Sequence, residues 1–160
     1  MEDFHMTKEE FLLLCDQIFK RYGFSKKGKN YYLDLGTDII GSIHYQSSDY
    51  GRAFYINCGF SLKDHNDFLP YPKYRETNMS WRICVPGKKK LSGEPDSYTY
   101  STEMIQYEYY SPDELESSID SAMNEWVMPA VRNGMAYILA HEEYYRLMVK
   151  IAKTLHKIPE

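Results

Sequence analysis

Ser42, His44 and Gln46 occupy alternate positions of one run of the chain, and Tyr55 and Asn57 alternate positions of the next. A hairpin joining the two runs would gather five hydrogen-bonding side chains on one surface, with an imidazole that titrates near neutral pH among them. Such a surface can read a small ligand, or it can be the wet side of an antiparallel sheet, which alternation by itself produces. A second constellation is electrostatic. Residues 94–125 carry nine acidic side chains and no Lys or Arg, whereas the flanks are net positive by +3 and +2 within a total of −4. In a helix beginning near Pro112, Asp113, Glu116 and Asp120 share one exposed flank, a spacing that suits a basic protein partner better than a metal cage. Acidic residues early in a helix also complement its dipole without any recognition role.

Other chemistries lack their spacing. The histidines at 5, 44, 65, 141 and 156 have no i,i+4 partner and no Glu-x-x-His arrangement, so zinc-hydrolase geometry is absent, and His65 with Asp64 and Asp67 reads as solvated loop polarity. Gly87-Lys88-Lys89-Lys90 lacks the glycine spacing and the Ser or Thr of a phosphate-binding loop. Cys58 and His44 belong to opposite faces of adjacent strands, which excludes a thiol–imidazole pair. No catalytic, cofactor or metal site is therefore assigned. The local acidity opposes nucleic-acid binding, although Lys26, Lys27 and Lys29 lie close together. Three cysteines without short spacing and a charged helical start in place of a secretory leader indicate a reduced, cytoplasmic setting. No apolar run approaches the ~20 residues that span a bilayer. The 16 tyrosines against 7 phenylalanines give an aromatic set with polar tips, suited to sheets and to interfaces.

These residues need elements to hold them. Thr7-Lys8-Glu9-Glu10 is a capping-box pattern ahead of Phe11, Leu14, Cys15, Ile18, Phe19 and Tyr22 at helical spacing, with Gly23 as the stop. After the polar turn Lys26–Asn30, strands are expected through Tyr31–Leu35, Ile39–Tyr45, Phe54–Leu62, Ser80–Val85 and Glu103–Tyr109. Residues 63–78 form a long connection whose prolines exclude a central strand. Ser111-Pro112-Asp113-Glu114 starts a helix with Leu115, Ile119, Ala122, Met123 and Trp126 as its buried stripe. Pro129 should interrupt that helix and Asn133-Gly134 end it; a last helix carries Tyr144, Met148, Ile151 and Leu155. The expected architecture for 1–160 is one α+β domain: an N-terminal helix, an antiparallel sheet of about five strands, and C-terminal helices packed on one sheet face.

Tyr22-Gly23-Phe24-Ser25-Lys26-Lys27-Gly28, Tyr45-Gln46-Ser47-Ser48 and Phe54-Tyr55-Ile56-Asn57-Cys58-Gly59-Phe60 together resemble the bacterial domain-of-unknown-function family 4304, over roughly residues 7–150. The resemblance implies a small intracellular bacterial domain without an established activity. The functional expectation is a non-enzymatic binding protein, immunity- or antitoxin-like, that engages a basic protein partner through its acidic segment and tyrosines. The alternative is a small-molecule-binding or catalytic domain using the sheet face around His44, Tyr55 and Asn57. The sequence sets no oligomeric state.

Overall fold

The computed structural model describes residues 6–49, 51–87 and 101–147. His5, the Lys88–Lys90 turn, Glu94, Asp96, His156 and positions 148–155 of the expected last helix lie outside the described residues. Helix α1 (Lys8–Arg21) starts at the capping box: Glu10 N–H donates to Thr7 Oγ1 at 3.1 Å and Thr7 N–H donates to Glu10 Oε1 at 2.8 Å. Its stripe Phe11, Cys15, Ile18 and Phe19 is fully buried. The segment after it departs from the expected polar turn. Ser25–Lys27 is a strand, β1, paired to β2 (Asn30–Leu33) across a two-residue turn in which Gly28 takes φ +66°. All three β1 side chains are exposed, so no apolar alternation announces it.

The main sheet is antiparallel with strand order β1-β2-β3-β4-β5-β8, where β3 is Ile39–Ser47, β4 Phe54–Leu62, β5 Met79–Arg82 and β8 the two-residue Arg146–Leu147. β3 and β4 pair along their whole length, from Ile39 opposite Leu62 to Ser47 opposite Phe54. Ile39, Ile43, Ile56, Cys58 and Phe60 face the helices and are fully buried. Each of these Ile and Phe side chains contributes about 1.5–3 kcal/mol from burial. Leu115, Ile119 and Ala122 of α2 (Pro112–Ala122) and Ala130 and Val131 of α3 (Met128–Asn133) belong to the same core. Gly41 lets α3 approach: a Cβ there would meet Val131 Cγ2 at 2.6 Å. α2 begins, as the sequence indicates, with Ser111 capping Glu114 N–H at 3.2 Å.

Three expected elements change. Residues 103–109 form no strand. Ile105 makes a single bridge to Phe54, and the chain then turns through Tyr107–Tyr109 so that Tyr107 stacks on Phe11 at 5.3 Å. Val85–Pro86 (β6) and Ser101–Thr102 (β7) instead pair as a small separate ladder. Between α2 and α3, residues Met123–Val127 wind as one wide π turn. That turn carries Trp126 to the rim of the core, half-buried, where a continuous helix would bury it. After Gly134 (φ +76°) the helix restarts as α4 (Met135–Ala140), but residues 141–145 leave it as a turn, and Arg146 and Leu147 join the sheet beside Ser80 and Met79. Tyr144 therefore lies outside any helix.

Candidate functional site

The register arranges the side of the sheet away from the helices in rows. Tyr32, Ser42, Gly59 and Ser80 form one row, His44, Asn57 and Arg82 the next, and Gln46 with Tyr55 a third. The five residues expected to meet do meet. Three of them are shut off from water, because residues 63–78 fold back over that part of the face: Ser42 is 1%, Asn57 2% and His44 4% exposed, whereas Tyr55 is half-buried and Gln46 exposed. Asn78 fixes the far end of this cover, donating its backbone N–H to Phe60 O at 3.0 Å and accepting from Leu62 N–H through Oδ1 at 2.8 Å. Tyr74 tilts over His44 at 5.6 Å, and Tyr32 sets its edge against the same ring at 6.2 Å. Tyr32 donates its hydroxyl to Pro72 O at 2.9 Å and packs on Tyr71. Thr77 lies directly on Gly59, where a Cβ would come within 2.5 Å of its methyl group.

His44 Nε2 and Ser42 Oγ are 2.8 Å apart, the spacing of a base and a nucleophile. Ser42 Oγ also lies 3.4 Å from the Gly59 carbonyl, to which it can donate. Burial pushes the imidazole pKa down to about 4, so the ring is neutral at pH 7. The pair lies buried beneath Tyr74 and Tyr32. Cys58 lies on the opposite, helix-facing side, as expected, and burial raises its thiol pKa.

The polar face opens at its β5 end, around a residue that the sequence reading missed. Arg82 Nε donates to Asn57 Oδ1 at 2.7 Å, one terminal nitrogen donates to Gln46 Oε1 at 3.2 Å, and the other meets Glu103 at 3.2 Å. Its guanidinium also stacks 4.3 Å from the Tyr55 ring centre. The signal that could have found it is parity: Arg82 falls on the polar side of a strand that otherwise shows Trp81 and Ile83. Beside Arg82 lies a cleft of about 560 Å³, lined by Tyr74, Trp81, Glu103, Glu142, Glu143 and Tyr144 among others. Trp81 stacks on Trp126 at 5.8 Å, and Trp126 meets Tyr144 at 4.9 Å. Tyr145 anchors this wall, donating its hydroxyl to Trp126 O at 2.7 Å. These are the chain's two tryptophans.

The acidic flank of α2 is differently placed. Arg21 at the end of α1 reaches Glu116 at 3.3 Å and Asp120 at 3.0 Å, and Tyr22 donates its hydroxyl to Asp120 Oδ1 at 2.7 Å. The Tyr22 and Arg21 contacts lower the Asp120 pKa, and burial with the same carboxylate pushes Tyr22 up to about 12. Glu108 pairs with Arg52 at 2.6 Å, and Glu114 caps its own helix. Asp113 stays exposed. Much of the local negative charge thus stitches α1 to α2 and loops to strands. Among the described residues, no group of three His, Cys, Asp or Glu could hold a metal ion, and no helix is long and apolar enough to cross a membrane.

A family model described as "Domain of unknown function (DUF4304)" matches residues 15–133, from the middle of α1 to the end of α3. No curated protein and no solved structure matches the chain.

Proposed function

The chain belongs to the DUF4304 family, and we propose that it is a non-enzymatic binding domain that takes a Lys- or Arg-bearing extended segment of a protein partner into the cleft beside β5. The observation that carries this reading is the joint lining of that cleft by aromatic side chains, Trp81 and Tyr144, and by the carboxylates Glu142 and Glu143 beyond the one that meets Arg82. A cation between such groups gains both charge attraction and attraction to the ring faces. Arg82, the cation of the cleft, is already matched by Glu103. Backbone geometry supports an extended partner. Ile83 N–H donates to Ile56 O at 3.0 Å, so the alternation of an antiparallel ladder turns the Arg82 N–H away from β4, and among the described residues β8 pairs only with Met79 and Ser80. The reading keeps the expected basic partner but moves its seat from the α2 flank, where Arg21 occupies Glu116 and Asp120, to the sheet edge. An immunity- or antitoxin-like role is one form such a masking partner would take.

Tryptophan emission tests it, since Trp81 lines the cleft and Trp126 stacks on Trp81. A blocked extended peptide carrying two arginines should change the emission with an affinity that falls as salt rises, and the variant Glu142→Gln with Glu143→Gln should bind about fivefold more weakly. A matched peptide carrying two glutamates should have no effect. Equal responses to the two peptides, or none at millimolar concentration, would refute the reading.

A further inference from the structure

The lysines of the β1–β2 turn have no part in the cleft beside β5, and the fold places them at a second cavity. A hollow of about 550 Å³ is lined by Lys8, Lys26, Lys29 and Lys73 around a floor that includes Tyr31, Tyr45 and Phe54. The four ammonium groups come from three separate parts of the chain: the first residue of α1, the β1–β2 hairpin, and the connection that covers the polar sheet face. Strand alternation divides the hairpin's charges. Lys26 is paired in register with Tyr31 and stands 5.9 Å from that ring's centre on the hollow's side, whereas Lys27 points to the other side and lies 4.3 Å over Tyr71. Lys8 stands 5.8 Å over the Phe54 ring. The nearby carboxylates are engaged elsewhere. Asp16 accepts from the Tyr31 hydroxyl at 2.7 Å and pairs with Lys20 at 3.1 Å, and Glu76 accepts the backbone N–H of Lys73 at 2.7 Å. None of the ion pairs among the described residues involves Lys8, Lys26, Lys29 or Lys73.

From this arrangement we infer a binding site for a small phosphorylated molecule with a flat aromatic part, of the nucleoside diphosphate class. Four cations around one hollow match a ligand with several phosphate charges. The volume lies in the range of small-molecule sites, and the half-buried ring of Tyr45 gives an aromatic surface that a bare phosphate would not use. Asn30 and Ser47 at the rim add polar groups that can fix its orientation. A nucleic acid strand fits less well, because the basic residues enclose a single hollow in a chain of net charge −4 and lay out no track along its surface.

Calorimetric titration of the full chain with ADP, pyrophosphate and adenosine in separate runs, with chelator present, tests the site. ADP should bind about tenfold or more tightly than either fragment, and raised salt should weaken it. The double variant Lys26→Ala with Lys29→Ala should lose about tenfold in ADP affinity, while Lys63→Ala, whose partner is Asp34 and which does not line the hollow, should bind as the wild type does. Tryptophan emission should not respond to ADP, since neither indole lines this hollow; that separates the result from any failure of the β5 cleft. Absence of ADP binding at millimolar concentration, equal binding of pyrophosphate and ADP, or an unchanged double variant would overturn the inference. So would a short single-stranded RNA that binds more tightly than ADP.

Discussion

On β4, Ile56, Cys58 and Phe60 point into the helices while Asn57, Gly59 and Ser61 point the other way, yet Asn57 and Ser61 are each only 2% exposed against 0% for Phe60. The two faces differ in chemistry and in what covers them, and far less in burial. Alternation sorts side chains by polarity, and only the cover decides whether the polar set meets water. Against the inner face stand α1, α2 and α3, whose apolar side chains interdigitate with the strands. Against the outer face stands a proline-bearing connection, held by the Tyr32 hydroxyl, the Asn78 side chain and the close seat of Thr77 on Gly59. The inner face should therefore respond to changes of volume, and the outer face to loss of hydrogen bonds and to pH.

The largest effect belongs to the inner face. Phe60 is fully buried and packs its ring edge against Tyr145 at 5.7 Å. Phe60→Ala should cost about 3–5 kcal/mol in denaturant unfolding, because the rigid surroundings collapse only in part into the space left. A loss below about 1 kcal/mol would mean that the two faces are packed alike and would break the comparison.

The outer face should reveal itself through His44. Its pKa in the fold is lowered to about 4 by burial, against about 6.5 in an unfolded chain. Between those values the unfolded chain binds more protons, so the stability that the neutral ring secures is complete above about pH 6.5 and is lost as pH falls toward 4. From pH 7 to pH 5 the wild type should lose about 2 kcal/mol more than the non-titrating variant His44→Gln. Carboxylate titrations are shared by both proteins and cancel in the difference. Parallel pH profiles would show that the imidazole is hydrated or charged in the native state, and that the cover over the outer face is loose.

Legibility followed the range of the interactions concerned. The capping boxes at Thr7 and Ser111 are local, and both helix starts were readable. The β3–β4 pairing follows from period-2 alternation, which also placed Cys58 opposite in sense to His44. Strand β1 was not readable, since three exposed residues carry no pattern. Tyr107 was misread as part of a strand because its preference for Phe11 is a contact across 96 positions. The π turn at Met123–Val127 shifts the stripe by one residue and moves Trp126 to the rim of the core, with no sequence signal to announce it. For the site, the grouping of Ser42, His44, Gln46, Tyr55 and Asn57 was legible, but its cover was not. Pro70 and Pro72 say that residues 63–78 are no central strand; they do not say where that segment lies. Glu116 and Asp120 were found on one helix flank, as spacing requires, but Arg21 opposite them comes from another helix, and such pairing escapes any single-element reading.

The smallest effect tests the outer face most sharply. Ser61 sits on that face, paired in register with Ile40, and its hydroxyl has no hydrogen-bond partner among the described residues. Ser42, on the same face, shares a 2.8 Å bond with His44. A buried polar group without a partner bears the cost of leaving water and recovers none of it, whereas a bonded one recovers most. Ser61→Ala should therefore leave stability unchanged or raise it by up to about 1 kcal/mol, while Ser42→Ala should lower it by about 1–2 kcal/mol by stranding the imidazole. The two substitutions remove the same atom from the same sheet face, so their difference isolates the hydrogen bond from burial. Thermal melts of both proteins give the comparison directly. If Ser61→Ala destabilises as much as Ser42→Ala, the polar face is a bonded network that extends beyond the His44 pair to the Ser61 end of β4.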